Sequence, residues 1–271
     1  MPLMEETRPF RIDFFTDRPP LSQEWLVHGI LPKRTFGIVG GEPESYKTWF
    51  ALDLAVALAS NSNVLGFGAD KIGTSLIYSP EGEGEALRRR LYGLCVGRGL
   101  DYRTILGRIG VIRERVNVSD MYNYVRLANT VLEMKPDLLI LDPLISIHRA
   151  SENAAEEMQP VLDSIRDLRR AHDDLTCLVV HHTRKHRDGE SAGYALRGSS
   201  AIYGWEDTLI TIRKESAEEN RCPRSIGVSH RDATPPDRRK FLLEATGGDG
   251  VKVNLVSDAP VLVAKTDDFG F

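Results

Sequence analysis

Thr35-Phe36-Gly37-Ile38-Val39-Gly40 runs straight into Gly41-Glu42-Pro43-Glu44-Ser45-Tyr46-Lys47-Thr48, and that into Trp49-Phe50-Ala51-Leu52-Asp53-Leu54-Ala55. The first stretch reads as a strand, the second as a tight turn and the third as a helix opening at Lys-Thr. The N–H groups of such a turn and of the first helical residues have no partner inside the helix, so they face outward and bind phosphate oxygens. Lys47 is placed to reach the β- and γ-phosphates of a nucleotide, and the Thr48 hydroxyl to hold Mg²⁺. Gly41, Glu42, Pro43, Glu44, Ser45, Tyr46, Lys47, Thr48 and Trp49 are therefore the expected ATP-binding residues. Tyr46 stands where a glycine usually precedes the lysine. Gly serves where the backbone needs positive φ or crowds a ligand, so Tyr46 requires either an allowed backbone angle or a changed loop.

The rest of the chain extends this unit. Thr74 to Tyr78, Ile109 to Ile112, Pro136 to Leu141 and Leu175 to Val180 read as further strands. Between them lie helices over Glu85 to Val96, from Asp120 or Ser119 to about Met134, and from about Ala154 to Ala171. Asn61 to Gly73 reads as a loop. This alternation calls for a parallel sheet with right-handed crossovers. After Ala195 the pattern changes: Thr208 to Ile212, Ser225 to Ser229, Phe241 to Leu243 and Val251 to Leu255 read as antiparallel strands. Gly247-Gly248-Asp249-Gly250 is their hairpin signal. Residues 1–20 read as a polar, Pro-bearing arm, and residues 21–271 as one domain.

Several residues carry chemistry on this framework. Asp142 closes a near-continuous apolar strand, at the carboxyl end where open α/β sheets place their ligands, and is the candidate to hold Mg²⁺ through a bound water. Glu81 follows the next strand after the nucleotide turn and is the candidate base for water attack, with Glu83 and Glu85 as rivals. His181 and His182 end a strand, where successive side chains point to opposite faces, so they do not share a metal. His182, nearer the following loop, is the candidate for sensing the γ-phosphate. Arg197 sits between a polar loop and Gly198-Ser199-Ser200 and is the candidate arginine offered to a neighbour's ATP, with Arg184, Lys185 and Arg187 as rivals. Arg88-Arg89-Arg90 reads as solvated helix surface.

Composition narrows the field. In 271 residues the formal net charge is −4, with no overall basic pull towards nucleic acid, so DNA contact would come from local loops. Cys95, Cys177 and Cys222 are scattered without metal-ligand spacing, which fits a reducing cytoplasm. No secretory signal or membrane-length apolar run is visible.

Taken in order, the phosphate-binding turn, the strand ending in Pro80-Glu81, Leu141-Asp142-Pro143-Leu144, Val179-Val180-His181-His182-Thr183-Arg184-Lys185 and Arg197-Gly198-Ser199-Ser200-Ala201 resemble RecA-like P-loop ATPases. The nearest resemblance is to the RepA-type hexameric replicative helicases of plasmids and phages, over roughly Trp25 to Lys214. The resemblance implies an α/β fold with a mostly parallel central sheet extended by C-terminal antiparallel hairpins. It implies ATP and Mg²⁺ as cofactors, a hexameric ring, and movement along single-stranded DNA. In that family Glu81 would be the catalytic glutamate, Asp142 the Walker B acid, His182 part of the histidine motif and Arg197 the arginine finger. An ATP-switched scaffold that binds DNA or recruits a partner without unwinding is the alternative.

Overall fold

The computed structural model describes residues 22–81, 84–183, 200–216 and 222–256. The expected N-terminal arm, Arg197 with its rivals Arg184, Lys185 and Arg187, and Glu83 lie outside those residues.

The described chain enters through a small antiparallel pair, β1 (Trp25–Val27) and β2 (Leu31–Pro32). Strand β3 (Phe36–Gly41), buried along its whole length, leads into α1 (Lys47–Ser60). The segment expected as a loop after α1 holds a minimal hairpin instead, β4 (Asn63–Val64) and β5 (Phe67–Gly68). Its turn residues Leu65 and Gly66 have φ of 50° and 77°. Two left-handed residues make the tight hairpin turn that matches strand twist, and Leu at the first of them hides the signal in sequence.

Strand β6 (Ser75–Tyr78), α2 (Gly84–Gly97), β7 (Ile109–Ile112), α3 (Met121–Met134), β8 (Leu138–Leu141), α4 (Ala155–Asp167) and β9 (Thr176–His182) follow. Helix α3 is capped as expected: the Asp120 carboxylate accepts from the Asn123 backbone N–H at 2.9 Å. The tail holds α5 (Ser200–Trp205), β10 (Thr208–Lys214), β11 (Arg224–His230), β12 (Arg239–Thr246) and β13 (Gly250–Val256).

These strands form one sheet in the order β13-β12-β11-β10-β3-β9-β8-β6-β7. From β10 to β7 every pairing is parallel, and from β10 to β13 every pairing is antiparallel. The first tail strand was expected to be wholly antiparallel. It is instead the joint of the sheet, parallel to β3 on one side and antiparallel to β11 on the other. The chain returns to it from β9 through α5 as a crossover, and a crossover brings a strand back in the same direction.

Alternate residues of each central strand serve opposite faces. Val39, Ile140 and Val180 pack with α1 and α2, while Ile38, Leu139 and Val179 pack with α3, α4 and α5. Helix α1 is buried on nearly every side. Its Asp53 is held by Arg98, whose Nε and Nη2 lie 2.8 and 2.7 Å from Oδ1. The sheet curls far enough for β13 to reach α2. A Cβ on Gly97 would come within 2.2 Å of the Val251 carbonyl oxygen, and one on Gly93 within 2.9 Å of that of Asp249. No helix among the described residues is long and apolar enough to cross a membrane.

Candidate functional site

Strand β3 lies inside the sheet between β9 and β10, so the turn after Gly41 opens at the carboxyl ends of parallel strands. The turn keeps a tight shape without the usual glycine. Tyr46 takes φ 71° and ψ 23°, and Glu44 takes φ 61°. The first alternative raised by Tyr46 therefore holds: the backbone adopts the left-handed angle, and Tyr bears its steric cost of about 1–2 kcal/mol. Gly41 is required by crowding, because a Cβ there would stand 2.5 Å from both Ser45 Oγ and the Ile212 carbonyl oxygen.

The tail braces this turn. The Arg224 side chain is only 1% exposed, and its guanidinium carbon lies 4.1 Å from the Tyr46 ring centroid. It donates to the Glu44 carbonyl at 3.3 Å and to the Cys222 carbonyl. Lys214 adds an ion pair to the Glu44 carboxylate at 3.1 Å.

A cavity of about 320 Å³ opens beside the turn. Glu44, Ser45, Tyr46, Lys47, Thr48 and Trp49 form one wall; Glu81, Arg90, Asp142 and His182 are on the others. Gly41, Glu42 and Pro43 precede that wall in the turn. Lys47 donates to the Gly41 and Glu42 carbonyls at 2.8 and 2.7 Å. Burial lowers it to about 8, against the pull of Asp142 and Glu42. Burial raises Asp142 to about 6, opposed by a hydrogen bond from Thr48 and by the charges of Lys47 and Arg90.

The residues fit a magnesium nucleotide. The Ser45 hydroxyl is buried without a hydrogen-bond partner among the described residues, and it faces the crowded Gly41. Helix α1 opens without a side-chain cap, which leaves its first N–H groups to the cavity. The Thr48 hydroxyl and the Asp142 carboxylate, already joined by a hydrogen bond, are a hard-oxygen pair of the kind Mg²⁺ takes.

Glu81 reaches the cavity although β8 and β9 separate its strand from β3. Its Oε1 accepts a hydrogen bond from Ser146 in the turn after β8. The two histidines lie on opposite sides, as strand alternation requires. His182 lines the cavity, while His181 Nδ1 lies 3.4 Å from Glu152 Oε1 behind it. Arg90 is exposed, as read from sequence, and it also lies over the Trp49 ring at 5.5 Å and borders the cavity. Three consecutive arginines on a helix face three directions, and nothing in the sequence marks the one that borders the cavity. Arg224 and Lys214 carried no signal either, being single cations in strands far along the chain.

Residues 3–188 match a family model described as an AAA domain. Among solved structures, the chain is similar to a KaiC-like protein from the hyperthermophilic archaeon Pyrococcus horikoshii OT3, with a TM-score of 0.52 and 16% identity over 87% of this chain and 100% of that one. At that identity the likeness is one of fold, and the fold is RecA-like. No curated protein matches the sequence.

Proposed function

Because the chain belongs to the AAA domain family, we propose that it is an ATP-hydrolysing motor of the RepA-type helicase kind, which assembles as a hexameric ring and moves along single-stranded DNA. The observation that carries this reading is the convergence of Lys47, Thr48, Glu81, Asp142 and His182 on one cavity from four separate parts of the chain. Lys47 and the turn amides would hold the phosphates of the substrate ATP, and Thr48 with Asp142 would hold Mg²⁺. Bound there, Mg²⁺ would neutralise charge on the β- and γ-phosphates. Glu81 would orient the attacking water and take its proton. His182, at the edge of the same cavity, would pass the state of the γ-phosphate to the loop that follows it. Arg197 would complete the site of a neighbouring subunit.

The DNA-facing part of the reading is supported by the turn after β8. Ser146 in that turn touches Glu81, and Arg149 lines a second cavity that also contains Glu81 and Arg115. A phosphate backbone held by Arg149 would lie in a cavity that Glu81 also lines. The net charge of −4 favours the second reading, an ATP-switched scaffold without unwinding.

The test is ATP turnover with and without single-stranded DNA, together with light-scattering mass with and without nucleotide and a forked-duplex opening assay. The motor reading requires stimulation by DNA, a ring-sized mass and an opened fork. ATP turnover with no DNA stimulation and a closed fork leaves the scaffold.

A further inference from the structure

The phosphate-binding turn contains two non-glycine residues in the left-handed region, Glu44 at φ 61° and Tyr46 at φ 71°. Both are held by the hairpin of β10 and β11. Arg224 at the start of β11 donates to the Glu44 carbonyl at 3.3 Å and lies against the Tyr46 ring at 4.1 Å. Lys214 at the end of β10 pairs with the Glu44 carboxylate at 3.1 Å. These two cations face each other across the hairpin, because Lys214 and Arg224 are register partners.

Arg224 is an expensive residue to place here. It is among the largest fully buried side chains, and its Nε has no hydrogen-bond partner among the described residues. A buried guanidinium is tolerated when carbonyls and an aromatic face offset its lost hydration. Its other contacts are the Cys222 carbonyl and the Cys222 sulfur at 3.0 Å, both in its own strand segment. The contacts that leave the hairpin go to Glu44 and Tyr46.

We propose that the β10–β11 hairpin is a clamp on the phosphate-binding turn, with Arg224 as the positioning residue that holds Glu44 and Tyr46 left-handed. A glycine at position 46 would adopt that angle unaided. Tyr46 does not, so the turn keeps its phosphate-binding shape only while the tail hairpin is docked. Affinity for a nucleoside triphosphate is therefore set partly by a strand outside the turn. This inference rests on the nucleotide-site reading above for its consequence, but the clamp itself has a readout that needs no nucleotide.

That readout is hydrogen–deuterium exchange of the amides of residues 42–48. Arg224→Met keeps the length and removes the charge and planar stack. It should speed exchange across the turn roughly tenfold while the core strands stay protected. Tyr46→Ala keeps the strain and removes the ring, leaving the hairpin intact, and should act in the same direction. Affinity for the fluorescent magnesium complex of a mant-ATP analogue should fall by about tenfold in Arg224→Met, and Arg224→Lys should recover only part of it. In a Tyr46→Gly background the same Arg224→Met change should cost less than about threefold relative to Tyr46→Gly alone.

Unchanged turn exchange in a folded Arg224→Met or in Tyr46→Ala overturns the clamp. An equal loss of affinity with and without Tyr46→Gly also overturns it, because Arg224 would then act on the hairpin rather than through the turn. Wild-type protein that binds no nucleotide defeats the functional reading instead, and the exchange measurement still decides the clamp.

Discussion

The Ser146 hydroxyl donates a hydrogen bond to Glu81 Oε1 at 3.0 Å, joining the segment after β6 to the turn after β8. Glu81 is thereby aimed at the cavity from a strand that is not adjacent to β3. Glu81→Gln keeps the shape and loses the base, so hydrolysis should fall about 10²–10⁴-fold while ATP binding survives. Glu85→Gln should leave turnover close to wild type. Phosphate release and equilibrium binding on the same samples check both. An active Glu81→Gln beside a dead Glu85→Gln would transfer the role to Glu85.

The acidity of two facing groups sets a pH window. Phosphate binding needs Lys47 protonated, and burial lowers it to about 8. Holding Mg²⁺ needs Asp142 ionised, and burial raises it to about 6. Mg-ATP affinity should peak between those values and decline on both sides. Stability of the nucleotide-free protein moves the opposite way, because folding favours the neutral form of each group. The penalty of charged Lys47 is present at low pH and is relieved as pH rises from about 8 to its ordinary 10.5. That of ionised Asp142 is relieved as pH falls from about 6 towards its ordinary 3.8. Asp142→Asn should lose the acid limb of the binding profile and keep the alkaline one. An acid limb that persists in Asp142→Asn belongs to another group.

Arg90 separates from its two neighbours. All three are exposed, but only Arg90 borders the cavity, where it lies over Trp49. Arg90→Ala should reduce kcat roughly tenfold or more, as expected for loss of a cation beside developing phosphate charge. Arg88→Ala and Arg89→Ala should not. Equal steady-state rates for all three variants would show that Arg90 has no part in turnover.

Assembly is tested by mixing. Arg197→Ala should bind ATP almost normally and hydrolyse it poorly, since a finger acts on the transition state more than on the ground state. Lys47→Ala subunits supply an intact Arg197 but cannot hydrolyse. Mixed rings of the two should regain activity that neither has alone. Full activity of Arg197→Ala moves the finger to Lys185 or Arg187, and no recovery in mixtures shown to co-assemble rejects an intersubunit role.

One stability prediction concerns the ion pair that α1 makes through its buried Asp53. Asp53 is 1% exposed and faces Arg98. Asp53→Ala strands the guanidinium without its counter-charge and should cost about 3–5 kcal/mol in urea unfolding. Adding Arg98→Met should recover much of that loss, because an apolar pair needs no hydration. A double variant no more stable than Asp53→Ala would show that Arg98 matters through its bonds to Ser62 and Asn63 instead.

The parallel half of the fold was legible because its strands are fully buried and read as unbroken apolar runs. Leu138 to Leu141 and Thr176 to Val180 could hardly be anything else. That the turn, Asp142 and His182 come to one cavity was legible because each lies at the carboxyl end of a central strand. What sequence could not give was direction and aim. Whether β10 runs with or against β3 depends on a crossover whose path is not written in Thr208 to Lys214. Whether Arg90 or Arg224 faces a phosphate turn depends on packing between segments far apart in the chain. Tyr46 raised the right question, an unusual backbone angle, but its answer lies 178 residues away in Arg224.

Gly93 and Gly97 let β13 lie against the backbone of α2, the helix that also carries Arg90. A growing chain makes α2 before β13, the last strand of the sheet among the described residues. Until β13 is made that helix face lacks its strand, and the contact that closes it joins Gly97 to Val251, far apart in sequence. Such long-range closure is slow and comes after local structure. Ribosome-bound chains that have not yet exposed Val251 will therefore hold α2, and with it Arg90, without its final support. The helix that carries Arg90 thus gains this support only after β13 is made, later than the phosphate-binding turn.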